Sequence, residues 1–346
     1  MAKLRNLFDA FADRRLPKIQ PSILTPENRL ALCRSYGDFS LAYSTAVQPD
    51  LSYFGDEDGY IAYASKMGYI FVLGDPVTAP SNKPALIKSF LAAAGAVCFV
   101  QIGRTTAEIL AEHGYRINHI GVDTQLALQT HCFAGKRNET IRYSERWLLK
   151  SGFSIVECGG HGTAHGDLDK LSSSWRAERI VRRREMRFLN RPFLAARGMD
   201  MRRFLLLSSS CQAVAVLDFD PIFRDGNVMG YTTAFKRKMS GTTPHAEVGL
   251  TKFAADRFRE EGHSVLTFGL SPLANITESG FAESKIWRNL FRVSFSSKRI
   301  NAKFFNLKGQ AAFKRRFHGD ETASYIAFKW GTLPQMIALL RLMKAI

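Results

Sequence analysis

Acidic residues are in short supply in this 346-residue chain: 31 Asp and Glu stand against 48 Lys and Arg, a formal charge of +17. With an isoelectric point near 9.8, the balance excludes a protein built for cationic partners. It points to an anionic one: nucleic acid, an acidic membrane face, or both. Cysteine is also sparse. Cys33, Cys98, Cys132, Cys158 and Cys211 lie far apart with no CxxC pair, which excludes a disulfide framework and fits reduced thiols in cytosol. Long apolar runs are missing: 86–100 is interrupted by Lys88 and Gly95, and 204–217 is short and holds three serines. No segment therefore reads as membrane-spanning, and the N-terminus lacks a secretory pattern. Also absent are a Ser-His-Asp order, a Gly-rich nucleotide fingerprint and an HExxH helix. The pyrophosphate-holding loop of coenzyme A enzymes is approached only by Arg259-Glu260-Glu261-Gly262-His263-Ser264, at a helix end. His161 and His165 stand four apart, but in a Gly-Gly-His-Gly-Thr-Ala-His-Gly stretch that reads as a loop. No metal site and no cofactor are assigned.

What is present is enough to fold. The chain is 46% hydrophobic and 12% aromatic, with mean hydropathy −0.12, so it buries a sizeable core across two lobes. Helices and strands alternate. Strands are expected at 60–65, 69–73, 96–102, 153–158, 204–207, 213–220, 227–235 and 265–269. Helices are expected at 83–94, 105–113, 141–150 and 250–261, several closed by a glycine such as Gly114, Gly152 or Gly262. The helix–Gly–strand grammar recurs in both halves. The expected fold class is therefore α/β (α+β), with mixed sheets flanked by helices. We divide it into a basic amphipathic segment 1–20, a first lobe 21–170, a basic linker helix 171–192 and a second lobe 193–346. Leu4, Leu7, Phe8 and Phe11 take helical spacing among basic residues in the first segment, which suits a helix packed on its own domain or one lying on a membrane. The linker gathers Arg176, Arg179, Arg182, Arg183, Arg184, Arg187 and Arg191 against Glu178 and Glu185. Arg176, Arg179, Arg183 and Arg187 are its candidate phosphate or tRNA contacts; the alternative is a solvated face.

A string of short matches carries a resemblance from about residue 35 to 335. They run Gly74-Asp75-Pro76; Phe133, Gly135-Lys136 and Ile141-Arg142; Leu171 to Trp175; Glu185 and Phe188; and Tyr231 to Arg237. Then come Phe268-Gly269-Leu270-Ser271-Pro272-Leu273 with Asn275, Phe305-Asn306 with Lys308-Gly309, Phe313-Lys314 with Phe317, and Leu333-Pro334. In this order they resemble the soluble C-terminal catalytic domain of bacterial lysylphosphatidylglycerol synthases, the multiple peptide resistance factors. The resemblance implies two acetyltransferase-like (GNAT-like) lobes in tandem, and transfer of an aminoacyl group from tRNA to phosphatidylglycerol or a related acceptor. It implies a cytoplasmic place on the inner face of the membrane. Family enzymes often carry a membrane flippase ahead of this domain, so a chain of this length would modify a lipid without translocating it. The chain departs from the family where acids are expected: Ala234, Thr251 and Val122 replace them, Asp123 keeps one, and Ala311 replaces an arginine.

The chemistry needs positioning, a proton acceptor, and cations for the acceptor phosphate and the developing oxyanion. Arg237 and Lys314 are the candidate catalytic groups. Tyr231, Ser271, Asn275, Lys308 and Arg316 are the candidate substrate contacts, and Asp75 reads as a turn residue capping nearby N–H groups. Two alternatives stay open. One is an N-acyltransferase drawing on an acyl thioester of acyl carrier protein or coenzyme A. The other is a non-catalytic binder of anionic membrane or RNA.

Overall fold

The computed structural model describes Phe11, Asp13 and residues 16–20, 22–158, 165–178, 187–194, 198 and 200–345, the side chains at 165–167, 169, 176 and 178 excepted. Most of the expected N-terminal segment 1–20 lies outside these residues, as do Arg179 and Arg183 of the linker.

In the N-terminal half, α1 (Pro26–Tyr36) and α2 (Ala42–Val47) precede the meander β1 (Ser52–Asp56), β2 (Gly59–Lys66) and β3 (Tyr69–Leu73). The short β4 (Val77–Thr78) and α3 (Lys83–Ala94) lead to β5 (Cys98–Ile102), α4 (Arg104–Glu112) and the long β6 (Arg116–Ala127). Pro84 sits in the first turn of α3, where its missing N–H costs nothing. Gly95, at φ +71°, ends the helix in a conformation that a side chain resists. Alternation does the rest. Ile61, Ile70, Val72 and Phe99 face α3 and α4, while Tyr60, Ala62, Phe71, Leu73 and Val100 face α1, α2 and helices from the chain's C-terminal end. Both faces are covered, which is why these strands read as nearly continuous apolar runs.

The C-terminal half repeats the sequence of elements. After α5 (Glu139–Lys150), β7 (Ser154–Glu157) and α6 (His165–Glu178) comes the meander β8 (Arg202–Leu207), β9 (Ala213–Arg224) and β10 (Asn227–Lys238). Helix α7 (His245–Glu260) crosses to β11 (Val265–Pro272). Phe204, Phe219 and Tyr231 close on Phe258 of α7. Truncating so buried a ring costs about 3–5 kcal/mol. Helices α8 (Lys285–Ser296), α9 (Lys298–Lys303) and α10 (Leu307–Arg315), strand β12 (Asp320–Phe328) and α11 (Leu333–Leu342) complete the chain.

All the described strands join one sheet of order β1-β2-β3-β5-β12-β6-β11-β10-β9-β8-β7, with β4 on β2. Its parallel pairs, β3 with β5 and β10 with β11, are the two places where a helix crosses over. β5 and β6 do not pair with one another; β12 lies between them and bonds to both. Among the described residues no helix is long and apolar enough to cross a membrane.

Candidate active site

β10 and β11 run side by side only as far as Thr232 and Thr267, whose hydroxyls hydrogen-bond at 2.8 Å. Beyond that point the strands part. β10 bulges against β9 between Thr233 and Phe235, and β11 bulges against β6 between Thr267 and Leu270. The bulge on β11 turns on Gly269, at φ +66°. Backbone groups freed from a ladder at the carboxyl ends of parallel strands favour a binding crevice, and a cleft of about 250 Å³ opens there. Ser40, Ser44, Gln101, Trp175, Phe235, Lys236, Phe268, Phe305, Phe313 and Lys314 are among its lining. Gln101 holds φ +60° without being glycine, where β12 skips it between Ile102 and Val100. A strained residue of this kind costs of order 1–3 kcal/mol and is concentrated at functional sites.

The bulge gives Lys314 its partners. Its Nζ donates to the carbonyl oxygens of Gly269 at 2.8 Å and Leu270 at 2.7 Å. Behind it stands Asp123 of β6, opposite Leu270 in the ladder. Burial dominates the protonation of both groups. It pushes the Lys314 amine down to about 8, although the Asp123 charge pulls the other way. It pushes the Asp123 carboxyl above the usual carboxylate range, against the pull of Lys314. A second amine faces the same space. Lys236 lies 3.3 Å from the centre of the Phe313 ring and 3.8 Å from Glu247 of α7. Burial lowers it too, while Glu247 raises it and Arg316 adds repulsion. The wall of the cleft holds a bidentate pair: Arg191 Nε and Nη2 donate to Asp220 Oδ1 at 2.9 and 2.7 Å. Asp218 is held in turn by Arg203 at 2.6 Å.

Of the residues expected from sequence, Lys314 lines the cleft. Arg237 does not: it is buried, with its guanidinium 4.1 Å from the Phe193 ring, 4.6 Å from Trp175 and 5.3 Å from Phe235. Its place is beneath two aromatic walls of the cleft, supporting them. Tyr231 is core, stacked on Phe258 at 4.3 Å. Ser271 is buried in the β11–β6 ladder opposite Val122. Asn275 is exposed, bonded to Glu321 and Arg315. Lys308 is exposed, its amide N–H on Asn301, and Arg316 is exposed with its charge felt at Lys236. Arg187 is exposed and paired with Asp50 at 2.8 Å. The Arg176 side chain, Arg179, Arg183 and His161 lie outside the described residues, and His165 opens α6. Asp75 caps: both its oxygens accept from Gly103 N at 3.1 Å.

Sequence reasoning passed over Lys236, Gln101 and the Arg191–Asp220 pair, and gave Asp123 no role. Asp123 carried a signal: it is the one acid in the run 120–128, and buried acids are rare without a partner.

The family described as phosphatidylglycerol lysyltransferase, C-terminal, matches residues 30–328. The chain belongs to that family. The fold agrees. It is similar to the structure of L-PGS from Bacillus licheniformis (TM-score 0.73, 23% identity, covering 92% of this chain and 97% of that one). It is equally similar to the C-terminal domain of a putative lysylphosphatidylglycerol synthetase from Agrobacterium fabrum (TM-score 0.73, 19% identity, 93% and 98%). FemX follows at TM-score 0.51 and 11% identity, over 94% of this chain and all of that one. An uncharacterised protein of Corynebacterium glutamicum is 20% identical across 88% of the chain, which spans 39% of that relative's length. The family is one of transferases, and the mixed sheet flanked by helices is the architecture its members share.

Proposed function

We propose that the chain transfers an aminoacyl group from tRNA to the glycerol headgroup of phosphatidylglycerol, in the cleft where β10 and β11 part. The observation that carries the reading is the Lys314–Asp123 pair held by the β11 bulge. A neutral amine has two N–H bonds and one lone pair. Both N–H bonds are satisfied by Gly269 and Leu270, leaving the lone pair for a proton arriving from the cleft. With its proton affinity lowered to about 8, Lys314 is matched to general-base work near neutral pH. The acceptor hydroxyl oxygen attacks the ester carbonyl carbon, and its proton passes to Lys314. The carbonyl carbon–oxygen bond to the tRNA ribose then breaks, and the ribose oxygen takes that proton from Lys314 as it leaves, which returns the amine to its neutral form. Lys236 supplies the cation for the lipid phosphate or the passing oxyanion.

The lining also bears on the amino acid. Among the described residues that line the cleft the one carboxylate is Asp220, and Arg191 occupies it; Asp123 and Glu247 stand behind Lys314 and Lys236. Among the described lining residues a cationic side chain would find no free counter-charge, which favours an amino acid whose side chain carries no positive charge. The arginine run 176–187 is the proposed contact for donor phosphates. Arg191 is not part of that contact, being committed to Asp220.

The test is transfer of labelled amino acid from charged tRNA into phosphatidylglycerol vesicles, comparing alanine with lysine. Transfer of alanine over lysine is expected. Preference for lysine would overturn the side-chain reading. Activity with acyl carrier thioesters alone would replace tRNA as donor.

A further inference from the structure

Helix α8 leaves part of its surface without a cover. Trp287 and Phe291 turn inward, Trp287 Nε1 donating to Gly331 O at 2.6 Å. Ile286, Leu290 and Val293, at i, i+4 and i+7, form a stripe that is 78%, 44% and 66% exposed. Isolated exposed aliphatics need no explanation, but a row on one helix face does. The charge within the segment itself is of one sign. From Lys285 to Phe304 the sequence has six basic residues and no acid. Arg288 is bound by Glu278 and Glu283, which leaves Lys285, Arg292, Lys298, Arg299 and Lys303. The stripe is joined to the cleft. α8 packs against α9 and α10, and Asn301 ties α9 to both neighbours through Phe295 O and Lys308 N. Phe304, 47% exposed at the end of α9, is followed by Phe305, which lines the cleft.

We infer that α8 and α9 form the surface by which the protein lies on an anionic bilayer. The stripe enters the acyl boundary, the basic residues meet lipid phosphates, and Phe304–Phe305 bring the mouth of the cleft to the headgroups. An apolar helix face edged by lysine and arginine is the pattern of an interfacial helix, and an anionic membrane is the partner whose charge complements it. The inference rests on the proposed lipid acceptor, and it explains how a protein without a spanning helix among its described residues would reach that acceptor.

Two variants of the full chain test it: Ile286→Gln with Leu290→Gln and Val293→Gln, and Lys298→Gln with Arg299→Gln. Glutamine keeps helix propensity, and all five positions are exposed or half-buried, so folding is checked by thermal melting rather than assumed. Co-sedimentation uses phosphatidylcholine vesicles with and without phosphatidylglycerol. Wild type is expected to bind only the mixed vesicles. The stripe variant should lose binding on the order of 100-fold, as three aliphatic side chains lose an apolar environment. The basic variant should lose on the order of twentyfold, about fivefold per charge. Transfer to vesicle phosphatidylglycerol should fall with binding, while transfer to a water-soluble short-chain phosphatidylglycerol and affinity for tRNA stay as in wild type. Variants that sediment like wild type overturn the inference. So does a wild-type dimer that the stripe variant dissolves, since a second copy would then cover the face. Absence of transfer to either acceptor, with vesicle binding still dependent on α8, would remove the proposed activity and leave the docking surface supported.

Discussion

If Lys314 accepts the proton, the rate of transfer must follow its deprotonation. Its amine titrates near 8, so the rate should rise about tenfold per pH unit below that value and level off above it. Asp123 favours the charged form of Lys314. Asp123→Asn should therefore move the start of the plateau to lower pH without abolishing it. Lys314→Met, which keeps the stem and removes the base, should lower the plateau on the order of 10²–10⁴-fold. Lys308→Met, at an exposed neighbouring position, serves as the control and should leave the profile unchanged. Aminoacyl-tRNA hydrolyses faster as pH rises, so each point needs the loss without enzyme subtracted. Stability gives a second, independent reading. Lys314 binds its proton less tightly folded than unfolded, where a lysine titrates near 10.5. Between about 8 and 10.5 the unfolded chain holds more protons, so stability rises with pH across that window and the gain is complete above it. The gap of about 2.5 units corresponds to roughly 3 kcal/mol. Comparing denaturant midpoints of wild type and Lys314→Met across the window isolates this contribution from the other lysines. A rate that falls above about 8, or a Lys314→Met variant with wild-type turnover, would refute the assignment.

Other side chains make separable claims. Lys236→Met should raise the KM for phosphatidylglycerol and flatten the salt dependence of binding more than it changes the pH profile, because a phosphate-facing cation is lost. Arg237→Lys should lower the melting temperature while sparing kcat relative to Lys314→Met, since the ammonium cannot reproduce stacking within the Trp175, Phe193 and Phe235 rings. Equal losses of turnover in the two variants would return Arg237 to the reaction. Asp220→Asn, which leaves Arg191 buried against a neutral amide, should cost on the order of 3–5 kcal/mol in urea unfolding. A change below about 1 kcal/mol would show that water reaches the pair.

Local elements were legible because local chemistry makes them. The helix 83–94 and the strand 69–73 agree with the structure to the residue; proline, glycine and alternation mark their ends. The strand expected to stop at 235 continues to Lys238, past a bulge that sequence does not announce. That bulge also matters for chemistry. On an unbroken strand, Lys236 and Arg237 face opposite sides, and sequence alone does not say which side holds the cleft. The family pattern drew attention to the arginine, whereas it is the lysine that lines the cleft. Arg191 was counted with a run of surface arginines. Its partner Asp220 is distant in sequence, and no periodicity reports such a pairing. The same holds for Asp123 and Lys314, brought together only when β6 and β11 pair and α10 packs beside them.

The position of β12 sets the order in which the molecule can be made. Its backbone fills the gap between β5 and β6 with hydrogen bonds to both, and Tyr325, Ile326, Ala327 and Phe328 sit in apolar layers laid down by residues 60–117. During synthesis the facing edges of β5 and β6 must wait unpaired until the chain through Phe328 has emerged. Contacts of such long sequence separation slow folding and leave open edges exposed to other chains meanwhile. A protease cut in the middle of the chain would yield two fragments still laced together, whereas loss of the last thirty or so residues would open the front half of the sheet. A strand made late holds the early ones shut.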